Sequence, residues 1–93
     1  MKVTKDNLEH EINRVNLATG SPLATWTKTV AGNYTANVGN YHLSGAYGGW
    51  QLQRICTEGG GVSVPFGGGY VSKAAMYAQL QAFLAGVNHE VTV

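Results

Sequence analysis

The residues of this chain best suited to chemistry are glycines and aromatics rather than acids, bases or thiols. Thirteen glycines stand in 93 positions, and six of them form two triplets, Gly59-Gly60-Gly61 and Gly67-Gly68-Gly69. The second triplet precedes Tyr70, Ser72 and Lys73, where a helix is expected to begin. Backbone N–H groups without an adjacent Cβ, the positive end of a helix dipole, a hydroxyl and an ammonium together favour an anion. The spacing is not that of a P-loop, because Gly-x-x-x-x-Gly-Lys-Ser/Thr does not occur, nor of a dinucleotide fingerprint after a strand. Two flexible turns are the plainer alternative.

A second cluster is aromatic and polar: Tyr41, His42, Tyr47, Trp50, Arg54, Phe66 and Tyr70. Aromatics beside glycines make flat surfaces on which a base or a partner side chain can stack, and Arg54 is suited to a phosphate or carboxylate. The competing assignment puts Trp50 and Tyr41 in the core, with Arg54 reaching along the edge of a sheet.

Catalysis finds little support. His10, His42 and His89 are scattered with no metal-ligand spacing, and His10 is expected to face solvent. The carboxylates are Asp6, Glu9, Glu11, Glu58 and Glu90, and Glu58 in a glycine-rich loop reads as a solvated turn residue rather than a general base. The single cysteine, Cys56, excludes an internal disulfide and reads as a small buried hydrophobe. The expectation is a non-enzymatic protein with no metal and no cofactor.

The elements that must position these groups follow from periodicity. Leu8, Ile12 and Val15 mark one stripe of a helix at about residues 6–18, with Asp6 as N-cap, Glu9 as its capping-box partner and Gly20-Ser21-Pro22 as the stop. Residues 23–66 read as β structure. Trp26 to Val30 makes one strand, Ala31-Gly32-Asn33 a turn, and Tyr34, Ala36 and Val38 an apolar face. At Gly39-Asn40 the parity flips to Tyr41 and Leu43, which marks a bulge or a tight turn. Trp50 and Leu52 alternate with Gln51 and Gln53 in a strand reaching about Cys56, and Pro65 confines Val62 to Phe66 to an edge or a loop.

A last helix at about residues 72–86 takes Ser72 as N-cap and Gly86 as its C-terminal glycine. Met76, Leu80, Phe83 and Val87 share one face. Ala75, Ala78, Ala82 and Ala85 share another, roughly 150° away. A helix apolar on two faces needs two neighbours. One is the sheet; the other is the first helix or the same alanine face of a second subunit. The order predicts an α+β fold of one domain over residues 1–93, with an antiparallel three-stranded sheet packed against two helices in α-β-β-β-α order.

Composition sets the outer limits. Hydrophobic residues make up 44 % of the chain and charged residues 12 %, against a usual charged share of about 25 %. A net charge of +1 argues against a nucleic-acid binder that relies on a broad basic surface. Six of the eleven charges fall in residues 1–14, so the remaining surface is mostly Asn, Thr, Gln, Gly and Tyr. Such a surface is poorly guarded against association, which favours a homo-oligomer or a covering partner. The polar start has no apolar signal stretch, and Ala74 to Val87 falls short of the roughly 20 residues that span a bilayer. The expectation is a cytoplasmic protein without a membrane partner.

The segments Asn16 to Pro22, Gly39 to Leu43, Ala46 to Gly49 and Glu58 to Val62 resemble short proteins of tailed bacteriophages. That resemblance spans most of residues 10–86. It implies an accessory protein made in a bacterial host, of the kind that counters host defence by binding a host protein or sequestering a nucleotide signal. The element order is also similar to the double-stranded-RNA-binding domain, whose last helix opens on a glycine-rich, lysine-rich segment. Gly67 to Met76 matches the glycines, Ser72 and one lysine, but Ala74 and Met76 replace lysines that contact phosphates, so duplex RNA binding is not expected. The leading expectation is a pocket for a small anionic, nucleotide-like ligand formed by Tyr47, Trp50, Arg54, Gly67, Gly68, Gly69, Tyr70, Ser72 and Lys73, in an oligomer joined through Ala75, Ala78, Ala82 and Ala85. The alternative is a protein–protein interaction module that inhibits a host complex. The roles of Glu58, His42 and Cys56 are open at this level.

Overall fold

The computed structural model describes the backbone of residues 2–91 and the side chains of residues 2–87. His89 and Glu90, named above among the scattered groups, lie outside the described side chains.

Helix α1 spans Lys5–Thr19, and its stripe of Leu8, Ile12 and Val15 is fully buried. Its cap differs from the Asp6–Glu9 pair expected. Thr4 is the N-cap: its hydroxyl accepts from the Asn7 N–H at 3.2 Å, and the Asn7 carboxamide accepts from the Thr4 N–H at 3.0 Å. Thr4 holds the extended backbone a cap requires, whereas Asp6 already lies in the first turn, where its charge meets the helix dipole. The stop is the expected one. Gly20 is left-handed with φ 68°, and Ser21 donates to Asn16 O at 2.8 Å in a Schellman closure.

Strands β1 (Trp26–Lys28) and β2 (Tyr34–Ala36) form a separate antiparallel hairpin, with Thr27 opposite Thr35. The first strand is shorter than expected, because the turn already begins at Thr29, which donates to Asn33 O at 2.7 Å and accepts from Gly32 at 3.0 Å. Val30 is consequently in the turn and exposed. The parity flip at Gly39-Asn40 is a turn: Gly39 has φ 97°, and Asn40 donates to Asn37 O at 3.1 Å. Asn40 is fully buried there, its carboxamide donating to Pro22 O at 2.7 Å.

Beyond that turn, β3 (Tyr41–Ala46), β4 (Gly49–Ile55) and β5 (Val62–Ser63) form the three-stranded antiparallel sheet, with β4 central. Helix α2 spans Lys73–Val91. Its start is capped by Ser72, whose hydroxyl accepts from the Ala75 N–H at 3.1 Å. Gly86 does not end it. Gly86 keeps a right-handed backbone, and a glycine terminates a helix only where the chain turns left-handed.

The fold is α+β. Met76, Leu80 and Leu84 of α2 recur every four residues and lie with Leu8, Ile12 and Val15 of α1 and Tyr41 and Leu52 of the sheet in one core. The same line of α2 therefore meets both α1 and the sheet, with Phe83 half-buried beside it. Ala78, Ala82 and Ala85 stay exposed and Ala75 is half-buried, so the alanine face has no covering element within the described chain.

Candidate functional site

Both helices begin near Trp50. Lys5, the first residue of α1, holds its Nζ 6.0 Å from the centre of the Trp50 ring system. Lys73, the first residue of α2, lines a shallow hollow of about 440 Å³ with Trp50, Gly45, Ala46, Gly48 and Gly49. At the other end, Arg14, Leu17 and Ala18 of α1 share a hollow with Leu84 of α2, so the helices run parallel. Each helix carries about half a positive charge at its start, and two ammonium groups add to it. Positive charge is thus placed near Trp50, with Asp6 beside Lys5 in the first turn of α1.

The indole is held by backbone economy. Gly45 faces Trp50 across the β3–β4 ladder, and a Cβ on Gly45 would lie 3.0 Å from the ring. The missing side chain is the space the indole occupies. The Trp50 peptide is paired in turn with Val71, by bonds of 2.7 and 2.8 Å. Beside this hollow, the β3–β4 hairpin turns through Tyr47 and Gly48, with φ 53° and 71°. Tyr47 is 95 % exposed, and its ring meets that of Tyr70 edge-on at 5.6 Å. The Tyr70 hydroxyl lies 3.0 Å from Ser44 Oγ.

The structure gathers Trp50 and Lys73 around one hollow, with Ser72 capping the helix that presents Lys73. The Tyr47–Tyr70 pair does not line it: the Tyr70 hydroxyl meets Ser44, which stands opposite Gln51 on the other face of the sheet. Two further expected components also lie elsewhere. Gly67, Gly68 and Gly69 line a different cleft, between β4 and the start of α2, without a charged side chain. Arg54 sits four residues further along β4, about 13 Å away at strand rise. Its guanidinium lies 5.1 Å over the Tyr41 ring, and its Nε donates to Gly39 O at 3.3 Å. Tyr41 itself is in the core.

Lys5 was not among the expected site residues. Its place follows from helix α1 starting next to Trp50, a tertiary relation with no local signal. The other side of the sheet holds a second arrangement that the strand alternation of Gln51 and Gln53 foreshadows. His42 Nε2 lies 3.1 Å from Gln53 Oε1, Gln53 Nε2 donates to Gln51 Oε1 at 2.9 Å, and Gln51 Nε2 donates to Gly68 O at 3.2 Å. His42 Nδ1 is buried without a hydrogen-bond partner among the described residues. Glu58 is exposed and engages through its backbone, accepting from the Ala36 N–H at 3.0 Å. No hydrogen bond joins Glu58 to His42 among the described residues. Cys56 is exposed rather than buried: it lies just past the end of β4, beyond the cover of the helices, with Sγ 3.6 Å from Arg54 O.

No protein-family model, curated protein or solved structure is significantly similar to this chain. Among the described residues, no group of three or more His, Cys, Asp or Glu is placed to hold a metal ion. No described helix is long and apolar enough to cross a membrane.

Proposed function

We propose that this is a non-enzymatic binding protein that holds a small anionic, nucleotide-like ligand against Trp50. The observation that carries the proposal is the convergence of both helix starts, with Lys5 and Lys73, on one aromatic ring. An aromatic face offers stacking to a base, and the paired ammonium groups and helix dipoles offer charge to a phosphate. Tyr47 and Tyr70 do not line this hollow. Arg54 and the Gly67 to Gly69 triplet belong to other surroundings and have no part in this site. The protein acts as a homo-oligomer joined through Ala75, Ala78, Ala82 and Ala85, a reading supported by the uncovered alanine face and the scarcity of charge. The likeness to phage proteins supports an accessory role in a bacterial cytoplasm, in which sequestering a nucleotide signal counters a host defence.

Calorimetric titration with nucleoside mono-, di- and cyclic phosphates, and with uncharged nucleosides as comparators, tests it. The phosphorylated ligands are expected to bind and the nucleosides not to, with Lys73→Ala and Lys5→Ala each weakening binding about tenfold. No heat from any phosphorylated ligand at millimolar concentration overturns the proposal.

A second reading rests on the β1–β2 hairpin. It lies outside the main core cluster, anchored through the buried Ala36, and exposes Trp26, Val30 and Tyr34, with Leu23 and Val38 also exposed. Aromatic and aliphatic groups on a hairpin whose one charge is the exposed Lys28 suit a protein interface, in this case with a host protein that the module inhibits. Stoichiometric capture of one bacterial protein, lost in Tyr34→Asp, favours this reading over the first.

A further inference from the structure

The outer edge of β3 has no neighbouring strand, yet one part of it is already paired with an amide. Trp50 exchanges both of its backbone bonds with Val71, so its ladder partner Gly45 turns its own peptide groups away from β4. Alternation brings the peptide groups of Tyr41, Leu43 and Gly45 to this outer edge. At Tyr41 both groups are taken by the Asn16 carboxamide, at 2.8 and 3.0 Å. A carboxamide has the donor and acceptor of a peptide group, so Asn16 makes the pairing that an added strand would make. At Leu43 and Gly45 no such group arrives among the described residues, and the N–H and C=O of both residues are left in line.

These groups lie at the surface. Gly45 is exposed and has no side chain, so its exposure is that of its backbone. Leu43 is half-buried, with its side chain packed against the core. Native sheets guard open edges with lysine, proline, bulges or very short strands. The opposite edge of this sheet follows that rule: β5 has two residues, and Pro65 comes soon after it. The β3 edge does not. Its six residues include no Lys, Arg, Asp, Glu or Pro, and they pair with β4 in unbroken register.

The surroundings of the edge favour a negative charge. A residue set opposite Gly45 would share its face of the sheet. That is the face of Trp50, because the indole fills the space a Gly45 Cβ would take. Lys5 Nζ stands 6.0 Å from the Trp50 ring, and Lys73 lines the hollow that Gly45 also lines. Neither lysine is in an ion pair among the described residues.

We propose that the edge at Leu43 and Gly45 binds an extended segment of a partner protein as an added antiparallel strand, with an acidic side chain opposite Gly45. Two segment residues, one position apart, pair with Gly45 and Leu43, and each exchanges both backbone bonds. The Asn16 carboxamide stops the strand before Tyr41. The main-chain bonds give affinity, and the carboxylate among the two lysines gives selectivity. The β3 backbone carries this binding, so it does not depend on a nucleotide at Trp50.

Titration of the ¹⁵N-labelled full chain at low salt with the blocked peptide acetyl-Thr-Glu-Thr-Val-Thr-amide tests this, its Glu meant for Gly45 and its Val for Leu43. Saturable shifts are expected at about millimolar peptide, because a short segment loses much of its contact energy to ordering. The Leu43 and Gly45 amides should move downfield and exchange more slowly with solvent, while the Tyr41 amide stays in place. The same peptide N-methylated at Glu and Val keeps its side chains but loses both donors, and should bind about tenfold more weakly or worse. Replacing its Glu by Gln should cost about threefold, the size of an exposed ion pair. The double variant Lys5→Ala with Lys73→Ala should remove that difference. Equal binding of the N-methylated peptide, a Glu preference absent from the wild type or kept by the double variant, shifts confined to the β1–β2 hairpin, or no shift at all overturns the proposal. So does a dependence of the Leu43 and Gly45 signals on protein concentration without peptide, which would put a second copy of the chain on this edge.

Discussion

The Asn16 side chain pairs with the peptide groups of Tyr41 on both sides: its Oδ1 accepts the Tyr41 N–H at 2.8 Å and its Nδ2 donates to the Tyr41 C=O at 3.0 Å. Asn16 is 1 % exposed, and the pair ties the last turns of α1 to the first residue of β3. Removing it strands two buried backbone groups, each worth about 1–3 kcal/mol. Asn16→Ala is expected to lower the unfolding free energy by about 2–4 kcal/mol in urea titration. A loss below about 0.5 kcal/mol would show that the pairing contributes little.

Tyr47 occupies a left-handed position, φ 53°, that suits Asn or Gly, and Gly48 follows at 71°. Two consecutive positive φ values are the mark of a primed hairpin turn. Tyr47→Asn is expected to raise stability by about 0.5–1 kcal/mol and, because Tyr47 does not line the Trp50 hollow, to leave nucleotide affinity unchanged. Thermal denaturation and calorimetry read the two effects separately. A loss of affinity in Tyr47→Asn would place Tyr47 in the site.

Gly49 lets the Tyr70–Val71 backbone close on the start of β4. A Cβ there would lie 3.0 Å from Tyr70 Cβ and 3.1 Å from Val71 O, so the collision is with a neighbouring backbone. Gly49→Ala is expected to break the Trp50–Val71 bridge at a cost of about 1–3 kcal/mol, with red-shifted tryptophan emission. Gly69→Ala, which meets nothing, is the control and should leave emission unchanged.

The exposed alanines of α2 make the oligomer testable. The double variant Ala78→Glu with Ala82→Glu places charge on that face without touching the core, so each change should move intrinsic stability by no more than about 0.5 kcal/mol. Sedimentation velocity is expected to show a wild-type oligomer and a monomeric variant. A wild-type chain that sediments as a monomer at high concentration would leave the alanine face without this role.

Periodicity and punctuation determined much of this protein. The stripe Leu8, Ile12 and Val15, the Gly20 stop, the Ser72 cap and the break at Gly39-Asn40 are local properties of backbone and side chain, so they are legible one residue at a time. The α+β class follows from them. Where two local signals competed, the reading went astray: Thr4 with Asn7 and Asp6 with Glu9 have the same spacing, and only the backbone at Thr4 decided between them. Gly86 likewise permits a stop without imposing one. What only the tertiary structure decided is which distant groups share a place. Arg54 and Trp50 lie close in sequence but are separated by the length of a strand, because a strand carries its side chains away at each step. Lys5, Trp50 and Lys73 are far apart in sequence, and they come near one another because two parallel helices both begin beside the start of β4. Pro65 could be read as confining its segment to an edge or a loop, but that pairing on β4 stops at Ser63 opposite Arg54 and resumes only at Val71 opposite Trp50 depended on the register between segments, which no single segment encodes.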